Sequence, residues 1–352
     1  MKLNLRSEGF FRWKRKTLIF TVLSILLLAA FCLDILLGSL SIRLPDIFSA
    51  LFKDGDPAIE TIILNFRLPK AVTALCAGIA LSVSGLQMQT LFRNPMAGPY
   101  VLGVSSGASL GVALVILGFS ARFVPGNIQS LGNWALVISA WIGAGAVMLL
   151  IMFISSRIRE IMTILIIGIM LASGISAIVS ILQYFSNETM LKAYVIWTMG
   201  SLGNLSGGQL KVLVVTTLAG VILSLASVKM LNALLIGENY AASMGLNLKL
   251  SRFLIFTGTS ILAGSVTAFC GPIGFIGIAV PHIARNLFRT ANHSVLVPGT
   301  ILAGGIVMLA SDIISQLPGS ASVLPVNSVT SLIGIPVVIW IILRNRKETI
   351  TI

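Results

Sequence analysis

The sequence is poor in charged residues and in cysteine. Only 10% of its 352 residues are charged, whereas 56% are hydrophobic, and the mean hydropathy is +1.00. A soluble domain of this length needs far more charged surface. The three cysteines, Cys32, Cys76 and Cys270, form no CxxC pair. The composition therefore excludes a soluble globular protein, and it indicates neither a disulfide framework nor a thiolate metal site.

Histidine is scarce, and a phosphate-binding loop is absent. The two histidines, His282 and His293, have no carboxylates at ligand spacing, so no metal site is predicted. Residues 205–209 read LSGGQ, as in the signature of ABC ATPases, but the sequence has no G-x4-GK[ST] motif to hold phosphates. We interpret LSGGQ as a glycine turn before a membrane span. The chain is predicted not to be an enzyme.

Long apolar segments dominate what remains. Residues 17–40 contain a single charge, Asp34, and no small-residue cleavage site follows them, so they predict a retained span rather than a signal peptide. About 20 apolar residues match the roughly 30 Å hydrocarbon core of a bilayer. Hydropathy predicts an all-α polytopic membrane protein with about ten spans, in residues 17–40, 69–92, 100–118, 134–155, 161–185, 209–229, 251–270, 274–288, 295–315 and 326–343.

The net charge of +13 is distributed unevenly. Most of the 24 lysines and arginines lie in segments on the same side of the spans as the N-terminus, among them the basic segment 1–16, the loop 230–250 and the tail 344–352. The positive-inside rule then predicts that both termini are cytoplasmic. Because this asymmetry explains the charge, nucleic acid is not an expected partner. Residues 188–203 are too polar to span and predict a short helix at the outer interface.

Glycine and proline interrupt two apolar segments. In GPIGFIGIAVPHIAR, residues 271–285, the spacing predicts that Gly271, Gly274 and Gly277 share one helix face for close packing. The segment also contains Pro281 and is too short to cross a bilayer, so we expect a broken helix sheltered inside a bundle. Gly103 and Gly107 begin a similar stripe of small residues, which Gly111 continues, on the third span.

These landmarks carry a family resemblance. Residues 67–111, RLPKAVTALCAGIALSVSGLQMQTLFRNPMAGPYVLGVSSGASLG, resemble the permeases of bacterial importers for iron-siderophore chelates, haem and vitamin B12, the FecCD-type permeases. The W-x-MGSL stretch starting at Trp197, the GPIGFIGIAVPHIAR segment and IGIPVVIW at residues 333–340 are similar to the same family.

The resemblance implies a single permease domain over residues 1–352 with the type II ABC importer fold. It further implies a homodimer with a central translocation path in the bacterial inner membrane. Two separate subunits would bind ATP and Mg, so no cofactor is expected in this chain, and a substrate-binding protein would dock on the outer face. The expected function is the uptake of a bulky metal chelate or cobalamin.

The resemblance also assigns roles to particular residues. Coupling to the ATPase is carried over to Gly237, Glu238, Ala241, Ala242 and Gly245. Docking of the binding protein falls on Arg67 and Lys70. The path and its inner gate fall on the fifth and tenth spans, with candidate residues Ile161, Met162, Thr163, Gly168, Ser173 and Ser176.

The chain departs from the family pattern near its last outer loop, where it has Gln316, Val323 and Asn327 in place of the usual arginine, glutamate and glycine. These changes put a docking contact there in question. The alternative function is a secondary transporter driven by an ion gradient, which predicts a buried ionisable residue along the path. Its candidates, Asp34 and Asp312, are predicted near the outer ends of their spans instead.

Overall fold

A computed structural model describes residues 2–38, 56–119, 132–158, 160–316 and 323–349, and this part of the chain contains helices and loops but no strand. The α-helices are α1 Lys2–Leu36, α2 Pro57–Ile62, α3 Leu68–Leu91, α4 Val104–Ala113, α5 Gly132–Arg157, α6 Ile161–Tyr184, α7 Glu188–Thr198, α8 Gly207–Ala226, α9 Val228–Leu234, α10 Glu238–Ser243, α11 Leu248–Cys270, α12 Ile276–Phe288, α13 His293–Ser315 and α14 Val326–Thr349. Two π-helical segments, Ile63–Arg67 and Leu114–Phe119, adjoin α3 and α4.

The helices confirm the all-α membrane class. In the described residues, seven helical segments are long and apolar enough to cross a bilayer: Lys14–Leu36, Pro57–Leu91, Trp134–Arg157, Ile161–Tyr184, Gly207–Ala226, Leu248–Cys270 and His293–Ser315. The shorter apolar segments Val104–Gly118 and Val326–Trp340, together with α12, occupy the other three predicted spans. The count of ten spans stays a prediction, because only seven of the described helical segments are both long and apolar enough to cross a bilayer.

Helix α3 lies at the centre of the bundle. It contacts α8, α11, α12 and α13, and nearly all of its residues from Ala71 onward are buried. Many of these residues are Ala, Gly or Ser, which permit backbones to approach closely where the hydrophobic effect does not drive helix association. At Gly85 the approach is closest, since a Cβ there would lie 1.8 Å from the carbonyl oxygen of Gly277. Glycine is therefore required at this crossing.

We call the two ends of the bundle the N-terminal face and the opposite face. The N-terminal face holds the start of α1, the end of α3, the whole of α10 and the start of α11. The opposite face holds the end of α1, the start of α3, helix α7 and the end of α11. Helix α8 begins at the opposite face behind an N-terminal capping box formed by Ser206 and Gln209. The LSGGQ residues thus form the turn and first residues of a helix, as the sequence predicts.

The entry to α12 differs from the prediction. The chain from Gly271 to Phe275 is not helical, so Gly271 and Gly274 do not share a helix face with Gly277. Gly271 ends α11 with φ 76°, a conformation that favours glycine, and Pro272 follows it. Only Gly277 packs as expected, against the carbonyl of Leu81 and the ring of Pro99, and Pro281 is buried inside α12.

Phe275 forms the corner that precedes α12. Its φ is 65°, which is rare for a bulky residue and costs about 1–3 kcal/mol. Its side chain lies against Gly334 of α14, where an added Cβ would come within 2.4 Å of the Phe275 Cβ. The backbone N–H of Gly274 donates to Oδ1 of Asn327, 2.9 Å away, at the start of α14. Asn327 thus ties the α12 entry to α14.

The small residues predicted to form a stripe on the third span lie in two different elements. Gly103 has φ 77° and ends a 3-10 turn, Pro99–Leu102, so it precedes α4 rather than belonging to its face. Gly107 and Gly111 do pack closely against the backbone of α5, at Gly143 and Ser139. The third span therefore begins four residues later than predicted.

Candidate functional site

The loop that contains α10 stands at the N-terminal face. Gly237 and Gly245 bracket the helix, with φ 121° and φ 89°, and this confirms the predicted short helix ended by a glycine. Ala241 is fully buried, whereas Ala242 is exposed. The five residues singled out for coupling are therefore brought together, but they do not share one surface.

Glu238 faces inward and forms an ion pair. Its Oε2 lies 2.8 Å from Nη2 of Arg252, and its Oε1 accepts hydrogen bonds from Nη2 at 3.0 Å and from Nε at 3.1 Å. Nη1 of Arg252 also donates to the carbonyl oxygen of Ile158, 3.1 Å away. The geometry is that of a bidentate arginine–carboxylate pair, which fixes orientation as well as distance. This pair holds α10 against α11 and the end of α5.

Three large apolar side chains project from the same loop. Ile236, Tyr240 and Met244 are spaced by four residues and are exposed to 58%, 69% and 63%. Tyr240 lies on α10, Ile236 precedes the break at Gly237, and Met244 follows the last residue of the helix. Exposed apolar residues that cluster mark an interaction surface more often than isolated ones do. We call these three residues the loop patch. Sequence reasoning missed them, although their spacing was visible.

A buried polar network lies at the same face of the bundle. His293 is the first residue of α13, and its Nδ1 donates to Oδ1 of Asn232 at 3.0 Å. Its Nε2 forms a hydrogen bond with Oγ1 of Thr90, 2.8 Å away. On α12, Arg285 donates to Oε1 of Gln89, and the amide of Gln89 donates to the carbonyl of Ile278, 3.1 Å away. The network joins α9, which leads into the loop, to the central helix and its neighbours.

The opposite face contains a second polar cluster. Nζ of Lys70 lies 3.0 Å from Oδ1 of Asp312, whose side chain is 1% exposed. Nε2 of Gln316 donates to Oδ2 of Asp312 at 3.0 Å and to Oδ1 of Asp34 at 3.2 Å. We call Asp34, Lys70, Asp312 and Gln316 the acid pair cluster. Asp34 and Asp312 therefore lie together at the opposite face, near the ends of their helices.

Arg67 lies beside this cluster and is also held internally. Its Nη1 donates to the carbonyl oxygens of Ile35 and Leu36, at 2.7 and 2.8 Å, so it caps the end of α1. Arg67 and Lys70 line one cavity of about 460 Å³ at the opposite face, together with Gln316 and Val323. Two of the three departures from the family pattern thus line the cavity that holds both residues predicted for docking.

The residues predicted for the translocation path divide between two sides of α6. Met162, Ser173 and Ser176 lie on its exposed side. Gly168 lies on the other side, where it packs against the carbonyl of Val101, and Ile161 is likewise buried. A small residue is needed at position 168 because the neighbouring turn approaches the helix there.

The exposed side of α6 also carries an open groove. Met170, Gly174 and Ile178 line it. At the N-terminal end of α6, Oγ1 of Thr163 donates to Glu160, 3.0 Å away. Among the residues that the structure describes, no group of three or more His, Cys, Asp or Glu side chains is placed to hold a metal ion.

Comparison with known proteins identifies relatives over most of the chain. The model of the FecCD transport family matches residues 26–344. The vitamin B12 import system permease protein BtuC of Shigella boydii is 35% identical over 326 residues, which cover 92% of this chain and 94% of that protein. The hemin transport system permease protein HmuU of Yersinia pestis is 34% identical over 314 residues, 89% of this chain and 91% of that one.

A solved structure agrees with the sequence relatives. It shows an inward-facing conformation of a protein described as a metal-chelate type ABC transporter. The two folds superpose with a TM-score of 0.81 at 30% identity, over 93% of this chain and 99% of that one.

Proposed function

Because this chain belongs to the FecCD transport family, we propose that it is the membrane-spanning permease subunit of an ATP-driven importer for a bulky metal chelate, haem or cobalamin. The relatives named for haem and for vitamin B12 have nearly equal identity to it, so the proposal names the class of cargo and no single compound. Selectivity within that class would reside in a separate substrate-binding protein. The permease itself would not hydrolyse ATP.

The ATP-binding subunits would dock on the N-terminal face, at the loop patch. Ile236, Tyr240 and Met244 offer apolar side chains for burial in a partner, and Glu238 fixes the loop that carries them through its pair with Arg252. A large apolar residue surrounded by neutral contacts is typical of the centre of a protein interface. The loop patch is the single observation in this structure that most supports an ATPase in a separate chain.

The N-terminal face would then be cytoplasmic. The start of α1 and the end of α14 belong to it in this arrangement, because α14 begins at the opposite face, beside Gly274, and runs away from it. The distribution of basic residues supports the same orientation. The membrane would be the bacterial inner membrane.

The binding protein would dock on the opposite face, over the cavity lined by Arg67 and Lys70. Lys70 pairs with Asp312, and Arg67 donates to the end of α1. Part of their positive charge is therefore offset within the chain, and only the remainder is offered to a binding protein. Charge complementarity speeds encounter and sets orientation more than it adds affinity. We therefore expect these two residues to affect the rate of association.

A second copy of the chain would complete the path. The exposed side of α6 is apolar around Met170, and α14 exposes Leu332, Ile339 and Trp340. Two copies that meet across these helices would enclose a channel lined by large aliphatic groups and by Ser173 and Ser176. Such a lining allows a bulky, partly apolar cargo to pass without being held tightly.

The alternative is an ion-gradient transporter. The observation that favours it is the burial of Asp34 and Asp312, although both lie at the opposite face and not along the exposed side of α6. Two buried carboxylates within one hydrogen-bonded group are typical of sites that take up protons or cations. The deciding experiment is uptake of iron-siderophore, haem and cobalamin into vesicles that contain the chain with its ATPase and binding protein. We expect uptake with ATP and no ion gradient. Uptake that needs a gradient and not ATP would overturn the proposal.

A further inference from the structure

A cavity of about 230 Å³ lies between α5 and α11 at the N-terminal face. Its walls are mainly apolar, with Met152 from α5 and Phe253 and Phe256 from α11. Three polar residues also line it: Ser155 is buried, whereas Ser156 and Lys249 are exposed and define its rim. None of these residues belongs to the loop patch, the acid pair cluster or the α6 path.

The cavity is small for a soluble ligand. Sites that enclose whole small molecules have volumes of about 300–1,000 Å³. A space of this size would instead hold one end of a larger molecule whose remainder lies outside the protein. Phe253 is half exposed and Phe256 is buried, so an apolar wall runs from the membrane-facing surface into the cavity. An acyl chain in the bilayer could follow that wall.

The depth of the cavity matches the headgroup region. Arg157 ends the apolar segment of α5, and Leu248 begins that of α11. Charged residues at the ends of membrane spans lie at the level of the lipid headgroups. The cavity therefore has its apolar wall on the side of the hydrocarbon core and its polar rim at the headgroups, the same polarity as a phospholipid.

The cavity is lined by two cationic side chains, and the charge of one of them, Lys249, is not offset by an acidic residue in the part of the chain that the structure describes. Arg252 lines the cavity but holds Glu238, so its charge is offset. Lys249 makes no ion pair or hydrogen bond with any residue within the described ranges, and it lies in the first turn of α11, where the helix dipole adds positive potential. Arg157 follows Ser156, with its guanidinium 5.6 Å from the ring centre of Phe153.

We propose that this cavity binds an anionic phospholipid, with its phosphate beside Lys249 and Ser155 and one acyl chain along Phe253. Basic pockets between membrane helices recognise such headgroups. A lipid seated there would contact the beginning of α11, whose Arg252 fixes the loop patch. Its presence would therefore steady the loop. The proposal rests on the membrane-spanning fold and is independent of the cargo.

The test compares two lipids with matched acyl chains on the full-length chain purified in detergent. Native mass spectrometry would follow retention of phosphatidylglycerol, which is anionic, and phosphatidylcholine, which is not. We expect the phosphatidylglycerol adduct to persist and Lys249→Gln to reduce it at least fivefold. Lys249→Arg should retain it, and Lys211→Gln, which removes an exposed cation at the opposite face, should leave it unchanged.

A second variant separates the cavity from general surface charge. Ser156 is exposed at the rim, so Ser156→Trp obstructs the cavity while the charge is kept. We expect it to reduce retention of phosphatidylglycerol as Lys249→Gln does. Equal retention of both lipids would overturn the proposal, as would equal effects of Lys249→Gln and Lys211→Gln. If inorganic phosphate at the same concentration displaces the lipid fully, the site recognises phosphate alone and the lipid assignment is wrong.

Discussion

Glu238 and Arg252 form a bidentate ion pair across the gap between α10 and α11, with Oε2 and Nη2 2.8 Å apart. The side chains are only 18% and 8% exposed. The acid of the loop is therefore a support for the loop patch and not part of its outer surface. Loss of the Glu238 carboxylate should therefore move the loop patch rather than alter the chemistry of its outer surface.

Replacement of Glu238 tests this support. Glu238→Gln removes the charge opposite Arg252, and loss of a hydrogen bond to a charged group costs about 1.5–3 kcal/mol. We expect a lower melting temperature and weaker stimulation of the ATPase by cargo-loaded binding protein. The control is Glu160→Gln, which removes an exposed carboxylate on the same face that accepts a hydrogen bond from the hydroxyl of Thr163 rather than from an arginine. Unchanged uptake in Glu238→Gln would contradict the role of the pair.

Replacement of Tyr240 tests the patch itself. Tyr240 is exposed and packs little against its own chain, so Tyr240→Ala should leave the free energy of unfolding within about 0.5 kcal/mol of the parent protein, as is usual for surface positions. Binding of the ATPase should weaken by about 2 kcal/mol or more if Tyr240 is a central contact. The measurement is the affinity of detergent-purified permease for the ATPase.

The matched control for Tyr240 is Leu250→Ala. Leu250 is also exposed and apolar, lies two residues into the first turn of α11 and does not belong to the loop patch. If Leu250→Ala weakens the complex as much as Tyr240→Ala does, the ATPase contacts a broader surface than the one defined here.

Replacement of Lys70 tests the acid pair cluster. Lys70→Met leaves the carboxylate of Asp312 buried without its cation, and loss of one partner of a buried pair costs about 3–5 kcal/mol. We expect a strong fall in the melting temperature. The double variant Lys70→Met with Asp312→Asn should recover much of that loss, because it removes the uncompensated charge. Equal instability of the single and double variants would show that the pair contributes little.

Replacement of Gly85 tests the helix crossing at the centre of the bundle. A Cβ at Gly85 would overlap the backbone of Gly277, which cannot move aside as a side chain can, so Gly85→Ala should destabilise by about 3 kcal/mol or more. Gly145→Ala is the control, since a Cβ there meets no atom within 4 Å. Thermal unfolding in detergent separates the two. Similar melting temperatures would mean that α3 and α12 are further apart than described.

The sequence predicts the helices much better than it predicts their polar contacts. Hydropathy located the spans within a few residues, because apolar length is a local property of the chain. Lys70 and Asp312 are more than 200 residues apart, and no periodicity signals that they meet. The same holds for Gln316, which looked like a lost docking residue and proves to join two carboxylates.

Glycine positions limit prediction from sequence in a different way. Glycine at every third residue is compatible with a packed helix face and also with a turn, because glycine accepts both conformations. At Gly271 the positive φ decides for a turn, and Pro272 makes continuation of the helix costly. At Asn327 the departure from the family's usual glycine has a visible use, since its side chain binds the freed N–H of Gly274.

The strained corner at Phe275 has a mechanical consequence. The side chain of Phe275 packs against Gly334, and the side chain of Asn327 accepts a hydrogen bond from the backbone of Gly274. These two contacts, about two helical turns apart on α14, join α14 to the start of α12. Helices fastened at two points cannot swivel independently. We therefore expect any rearrangement that opens or shuts the opposite face to move α14 and the start of α12 together.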